Sequence, residues 1–358
     1  MVQKKKVLFI VEAMGGGVFT YTVDLANELV KDYDMYIAYA VRKQTPVNYK
    51  DYFDTRVNLI EVKNFSRSIN PIKDIKAFFE IKSIAKEIGP DIIHLHSSKA
   101  GALGLLAFNG RKIPVFYTPH GYSFLMEDCS PTKRIFYKVI EAMCGKRNCT
   151  TISCSSGEHN ETLKLTKQAI YINNGINIEQ LQEIVGRTKK VPHSFTVFTL
   201  GRICYQKNPT LFNKVAERLP GISFVWIGDG ELRKELNGKN IQITGWVNRT
   251  MAIQYAVNAD VFLLTSRWEG LPISLLEAMY MGKKCIVSDV IGNRDVIHNT
   301  KNGFVCHTVD EYVNAIEEAK NNNKTNSYAI EAHSEVLQQY NTKVMAQNYK
   351  RVYEDALN

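Results

Sequence analysis

Apolar residues along this chain follow two rhythms. Short runs rich in β-branched and aromatic residues, such as VLFIVEA at 7–13 and VFLLTS at 261–266, alternate with longer stretches in which apolar positions recur every three or four residues. The first rhythm is that of buried strands and the second that of amphipathic helices. In the first half the runs predict strands at 7–13, 35–41, 57–62, 91–97, 115–119, 150–155 and 169–173, with helices at 18–31, 72–88, 100–109, 131–145 and 156–166. The pattern then pauses at EQLQEIVGRTKKVPHS (179–194), which is polar, ends near a proline and reads as an interdomain linker. A second cycle predicts strands at 195–201, 223–228, 241–246, 261–266, 284–289 and 303–306, and helices at 208–219, 230–236, 249–257, 272–281 and 309–321, before a tail from about 327 to 357 that is helical in period. Such alternation predicts an α/β fold of two doubly wound domains facing across a cleft. The expected domains are 1–185 and 192–338, with a final helix at about 340–358 packing back on the first.

At 358 residues and 45% hydrophobic content, two well-filled cores are expected. No stretch approaches the roughly 20 uninterrupted apolar residues of a bilayer span. MVQKKKVLFIVEAMGGG imitates a signal peptide, but its apolar run is short and ends in glycines without a small-residue cleavage pattern, so a buried first strand is expected. The seven cysteines include no C-x-x-C pair, and Cys144, Cys149 and Cys154 lack a histidine at zinc spacing; a reduced, cytoplasmic compartment is expected. The net charge of +9 is uneven, since residues 1–190 hold 27 Lys and Arg against 19 Asp and Glu. A nucleic acid, an anionic membrane face or a phosphorylated substrate would each suit a basic first half. No nucleic-acid motif accompanies the charge.

Ligands of doubly wound sheets bind beyond the carboxyl ends of the strands, and the chemically suggestive residues follow predicted strands. Gly15, Gly16 and Gly17 lie between the first strand and its helix, where backbone can approach a ligand and a helix N-terminus can meet an anion. They are also what a tight turn needs. The run is not G-x-G-x-x-G, and the second strand ends in Arg42 and Lys43 rather than an acid, which argues against a NAD-dependent dehydrogenase. In YTPHGYSF, His120 follows a strand, with Gly121 freeing the backbone beside it. Of His94 and His96, which alternate along a strand end, only one is expected to face the cleft, and a purely structural role is the expectation for both.

In LGRICYQKNP, Arg202 and Lys207 come from one strand-end loop and can converge on a diphosphate, or form a solvated basic loop. Gly228, Asp229 and Gly230 form either a nucleotide-binding turn or ordinary turn chemistry. SRWEGLPISLLEAM sets Glu269 on a strand-end loop and Glu277 about a turn and a half into a helix begun by Pro272. The N–H groups of Gly270, Leu271, Ile273 and Ser274 would then make a cradle for phosphate or sugar. A carboxylate can accept two vicinal hydroxyls, as a ribose diol offers. Acids serving diols beside cations serving a diphosphate describe a nucleotide-sugar site.

EGLPISLLE, an E-x7-E stretch, together with LGRICYQKN about sixty residues upstream, resembles glycosyltransferase family 4, retaining enzymes of the GT-B fold with two Rossmann-like domains. YTPHGYSF resembles members that build bacterial capsule, O-antigen and other surface polysaccharides. The resemblance implies that Arg202 and Lys207 hold the donor diphosphate, Glu277 the ribose and Glu269 the transferred sugar. It further implies that Gly16 and Gly17 approach the donor, that His120 sits beside the reacting centre, and that Gly228 to Glu231 lie near the base. One departure is Gly292-Asn293-Arg294-Asp295, where the family often ends in Glu. The implied protein needs no metal or other cofactor and takes a nucleotide-sugar, by family habit a UDP-sugar, as substrate. Its acceptor would be a glycan or a polyprenyl-diphosphate-linked glycan, met from the cytoplasm at the inner face of the plasma membrane. Either of two basic amphipathic stretches could touch anionic lipid, or pack on the sheet with a solvated lysine face: 71–88, with Ile72, Ile75, Phe79 and Ile88 between lysines 73, 76, 82 and 86, and 130–147. The alternatives are an enzyme like UDP-N-acetylglucosamine 2-epimerase, or a two-domain sugar-binding protein without turnover.

Overall fold

The computed structural model describes residues 3–42, 44–66 and 69–358; Lys43 lies outside them. Contacts divide the chain into two compact units, Met1–Asn174 with Thr342–Asn358, and Gly175–Asn341. In the first unit β1 (Lys6–Met14), α1 (Gly16–Leu29), β2 (Asp34–Val41), β3 (Asn58–Glu61), α2 (Pro71–Ile88) and β4 (Ile92–His96) are followed by α3 (Ser98–Ala107), β5 (Val115–Thr118), α4 (Pro131–Cys144), β6 (Thr150–Ser153), α5 (Ser156–Leu163) and β7 (Ala169–Tyr171). The strands form one parallel sheet in the order β3-β2-β1-β4-β5-β6-β7. Each predicted strand of this half is present.

The continuous apolar run of β1 is explained by its central place: Val7 to Val11 are 0% exposed, as expected for a strand covered on both faces. Val7, Phe9 and Val11 join one core cluster with α1, and Leu8 and Ile10 join another with α2 and α3. Asn70 caps α2 by accepting from the Lys73 amide at 3.1 Å, and Gly89 ends it with φ +60°.

The second unit begins with α6 (Ile178–Arg187) and β8 (Thr196–Leu200), continues through α7 (Pro209–Arg218), β9 (Ser223–Ile227), β10 (Ile241–Ile243), α8 (Arg249–Val257) and β11 (Val261–Leu264), and ends with α9 (Ile273–Tyr280), β12 (Lys284–Ser288), β13 (Phe304–Cys306), α10 (Val309–Asn321) and α11 (Thr325–Gln339). Its parallel sheet has the order β10-β9-β8-β11-β12-β13. Finally α12 (Thr342–Leu357) packs in the first unit, where Met345, Ala346, Tyr349 and Tyr353 enter the core beside α1.

Two expected elements differ. The stretch read as a linker from 179 is helical through Arg187: Asn177 accepts from the Gln180 amide at 3.0 Å and Leu181 is fully buried. Ile178, Leu181, Ile184 and Val185 carry helical spacing, which the surrounding charge concealed. The helix expected at 230–236 is one short 3-10 turn, Arg233–Glu235. Here the backbone is held by the neighbouring strand-end loop. Ile203 N–H donates to Asp229 O at 2.9 Å, and Leu232 N–H donates to Ile203 O at 3.2 Å.

That loop pairing leaves no room for side chains. A Cβ on Gly228, whose φ is +138°, would lie 2.2 Å from Gly201 O, and one on Gly230 would lie 2.1 Å from Ile203 O. Gly228→Ala is therefore expected to destabilise the second unit by about 1–3 kcal/mol, measured as a lowered denaturant midpoint at unchanged slope.

Candidate functional site

In both sheets the strand order reverses direction at one place, between β1 and β4 and between β8 and β11. Loops leaving opposite faces there open a crevice at the carboxyl ends. Arg202, Lys207 and Glu269 all occupy the loops after β8 and β11, and Glu277 lies on the helix that follows.

The two loops are tied together. Arg267 N–H donates to Gln206 O at 2.8 Å and Thr265 Oγ1 to Lys207 O at 2.9 Å. Arg267 donates to Asn208 Oδ1 at 3.1 Å and stacks over the Tyr205 ring at 4.5 Å. Asn208, at φ +53°, also caps α7 by accepting from the Leu211 amide. This lattice places Lys207 Nζ 2.7 Å from Glu269 Oε1, with Gln206 Nε2 3.4 Å from the other oxygen. Glu269 is only 7% exposed, so the cation offsets a charge removed from water. Arg202 is more open and donates from Nε at 3.0 Å and from its terminal nitrogen at 2.9 Å to Glu231.

Glu277 is 3% exposed and paired with Arg249, the first residue of α8, at 2.6 Å. Pro272 takes the N-cap position rather than the first helical one, so α9 opens at Ile273. Its first N–H groups, those of Ile273 and Ser274, have no intrahelical acceptor. Leu271 packs inward at 4% exposure. Gly292, at φ +85°, lies against Gly270, where a Cβ would meet the Gly270 carbonyl at 2.2 Å. Asp295 accepts from the Gly292 amide at 3.0 Å, and this short acid closes the turn of its own loop. The fully buried Asn293 donates to Ser288 O and Oγ at 3.1 Å, and Ser288 Oγ donates to Ser266 O at 2.6 Å. The ends of β11 and β12 are thereby fastened.

The first unit carries a different chemistry. His120 sits at φ +57° and Gly121 at φ +90°, and Glu158 holds them there. This buried acid accepts from the Gly121 amide at 2.6 Å and the Cys154 amide at 2.7 Å. His120 Nε2 lies 3.0 Å from His96 Nδ1, its Nδ1 lies 3.6 Å from Cys154 Sγ, and Tyr21 meets its ring edge-on at 4.5 Å. Burial pushes the His120 pKa down to about 3. With both ring nitrogens engaged and the ring neutral, His120 is a poor proton donor near neutral pH.

The expectation that only one of His94 and His96 faces a ligand fails, because residues two apart share a strand face. Both are fully buried with rings 4.1 Å apart, and burial lowers both pKa values well below the usual range. His94 is held by Tyr353 OH at 2.6 Å and Thr118 Oγ1 at 2.8 Å. Gly16 has φ +58°, while Gly17 has neither a positive φ nor any atom within 4 Å of an added Cβ. Sequence reasoning missed Arg249, Gln206 and Glu158 as site-builders. Arg249 and Gln206 act through partners distant in the chain, and Glu158 joins the nearby Cys154 amide to the distant Gly121 amide, so no local motif marks them.

The arrangement offers cations, buried acids and a helix N-terminus at one switch point, the equipment of a nucleotide-sugar transferase. Residues 15–180 match the family model Glycosyltransferase Family 4, and residues 181–336 match Glycosyl transferases group 1. A UDP-Gal:alpha-D-GlcNAc-diphosphoundecaprenol alpha-1,3-galactosyltransferase of Escherichia coli is 30% identical over 85% of this chain and 86% of its own length. An N,N'-diacetylbacillosaminyl-diphospho-undecaprenol alpha-1,3-N-acetylgalactosaminyltransferase of Campylobacter jejuni is 24% identical over 82% and 85%. Among solved structures, the sucrose-phosphate synthase of Thermosynechococcus elongatus superposes with a TM-score of 0.82 at 16% identity, over 98% of this chain and 99% of that one. HepE of Anabaena, solved with UDP and glucose, gives a TM-score of 0.78 at 16% identity, over 98% and 100%. The chain belongs to the family 4 glycosyltransferases and has their GT-B fold of two Rossmann-like units.

The buried imidazoles make the first unit acid-sensitive. Their folded pKa values lie below the unfolded value of about 6.5, so the unfolded chain binds more protons as pH falls. Their contribution to stability is complete above about pH 6.5 and is lost progressively below it. The thermal midpoint is expected to fall between pH 6.5 and 4, and less steeply in His96→Asn, as calorimetry across that range will show.

Proposed function

We propose that the protein transfers a hexosyl or N-acetylhexosaminyl group from a UDP-sugar, with retention and without a metal ion or other cofactor, to a hydroxyl of a polyprenyl-diphosphate-linked glycan during bacterial surface polysaccharide synthesis. The observation that carries this is the β8–β11 junction, where Lys207 pairs with Glu269 ahead of α9, and Arg202, from the same β8 loop, pairs with Glu231. Arg202, Lys207 and the α9 N–H groups would meet the charge gathering on the leaving diphosphate. Glu269 would take hydroxyls of the transferred sugar and Glu277 those of the ribose. Gly228, Asp229 and Gly230 would border the base. Gly17, with open space where a side chain would stand, suits close approach of backbone to the donor.

In the chemical step the bond from the anomeric carbon to the diphosphate oxygen breaks, its electron pair leaving with the diphosphate. The acceptor hydroxyl attacks on the same face and passes its proton to the departing phosphate oxygen. His120, neutral and fixed, would line the reacting centre through its backbone and ring edge. Retention is supported by the α-1,3 linkages in the names of two relatives, since UDP-sugars of this kind carry the sugar in α linkage.

The acceptor's lipid calls for a membrane surface, and the first unit has a candidate. On α4, Ile135, Phe136, Val139 and Met143 are all more than half exposed, among Lys133, Arg134 and Lys138. On α2, Ile72, Ile75 and Phe79 are likewise exposed, whereas Ile88 turns inward with Ala77, Ile81 and Ala85. Exposed apolar residues interleaved with cations suit an anionic interface. No helix among the described residues is long and apolar enough to cross a membrane.

A screen of UDP-sugars against an undecaprenyl-diphosphate-linked GlcNAc acceptor, scored by UDP release, tests the activity; NMR of the product gives the anomeric outcome, and a chelator should leave the rate unchanged. Arg202→Ala and Lys207→Ala are expected to lower kcat about 10²–10³-fold. Wild-type rates in both would remove the diphosphate assignment. Phe136→Glu with Val139→Glu should weaken binding to phosphatidylglycerol vesicles at least about tenfold, measured by flotation, with turnover of a soluble acceptor analogue retained.

A further inference from the structure

We propose that Arg249 is the positioning residue for nucleoside recognition: its guanidinium fixes the Glu277 carboxylate in the orientation that reads the ribose diol. This rests on Glu277 being the ribose ligand and concerns a residue outside the E-x7-E stretch. Glu277 lies in the second turn of α9 and is 3% exposed, so water cannot orient its carboxylate. The guanidinium does so, with a terminal nitrogen 2.6 Å from Oε1 and a side chain itself only 20% exposed.

Arg249 is held from behind. It opens α8, whose start is fixed by Asn248 accepting from the Met251 amide at 2.9 Å, and whose Ile253 and Ala256 are fully buried. The ion pair reaches the carboxylate at Oε1. A carboxylate anchored at one oxygen loses its freedom to swing, yet keeps lone pairs on both oxygens for two neighbouring hydroxyls. A lysine at 249 would supply charge without the planar fork that sets direction. The separation of 28 positions between the two residues explains why no local pattern announces the pair.

The test compares UDP with 2′-deoxy-UDP by titration calorimetry, because a merely structural defect weakens both ligands alike. The wild type should prefer UDP about tenfold or more, and Glu277→Gln should abolish the preference. Arg249→Lys should reduce it several-fold by weakening UDP alone, with an unfolding midpoint near wild type; Arg249→Met should reduce it further. An unchanged preference in Arg249→Lys, with the preference lost in Glu277→Gln, overturns the role of Arg249 and leaves the ribose assignment standing. Tighter UDP binding in Arg249→Lys also overturns it, since Arg249 would then compete with the ribose. An unchanged preference in Glu277→Gln removes the ribose assignment itself and the inference with it.

Discussion

A carboxylate taken out of water needs a cation or a set of hydrogen-bond donors aimed at it, and this requirement organises the second unit. Glu269 and Glu277 flank the opening of α9 at 7% and 3% exposure. Each is matched by a cation from a different part of the chain, Lys207 from the loop after β8 and Arg249 from the start of α8. To bring Lys207 to Glu269 the β8 and β11 loops must run side by side, and their cross-bonds through Gln206, Thr265, Asn208 and Arg267 hold them there. The glycines obey the same geometry, since Gly228, Gly230 and Gly292 stand where neighbouring loops come too close for a Cβ. Charge burial and backbone packing therefore fix one arrangement together.

The first unit meets the same physical demand with one buried ion pair, Glu12 with Arg42 at the ends of β1 and β2, and otherwise with neutral groups and backbone amides. Its strand-end residues are imidazoles whose charge is suppressed by burial. The acid behind them, Glu158, is spent on backbone amides that hold Gly121 and Cys154 in place. Glu141 has its pKa raised to about 7, chiefly by burial, and accepts from Tyr117. A region of neutral polar groups can shape a site and exclude water without adding a field of its own. The charged groups assigned to the donor lie in the second unit, while the first unit keeps its buried and half-buried charges paired, Glu12 with Arg42 and Asp74 with Lys99.

Much of this was legible in the sequence because parallel sheets buried on both faces demand continuous apolar runs, and those runs stand out. The strands among the described residues fall where the runs are, and Arg202, Lys207 and Glu269 stand on loops after strands, as the runs implied. What stayed hidden depended on partners far along the chain. Arg249 looks like any surface arginine until α8 and α9 are folded together. The helix at 178–187 was masked by charge around a single buried leucine. Ile88 was grouped with Ile72, Ile75 and Phe79 by type, yet it faces inward in the structure. The histidines were misjudged by a rule of geometry rather than by lack of signal, since His94 and His96 lie two residues apart and must share a face.

The Lys207–Glu269 pair has a consequence for rate. On the proposed assignment Lys207 serves the diphosphate and Glu269 the sugar, so the diphosphate competes with Glu269 for Lys207 and the sugar hydroxyls compete with Lys207 for Glu269. Before reaction the donor diphosphate must share Lys207 with a buried carboxylate, which limits how much the lysine strengthens ground-state binding. As the glycosidic bond breaks, negative charge grows on the diphosphate and positive charge on the sugar. Lys207 then favours the first while Glu269 favours the second. An ion pair divided between the two ends of a breaking bond gains more in the transition state than in the bound substrate, and only such differential stabilisation raises kcat. Because the pair is already built and held by its loops, no reorganisation of charged side chains is required at the moment of transfer.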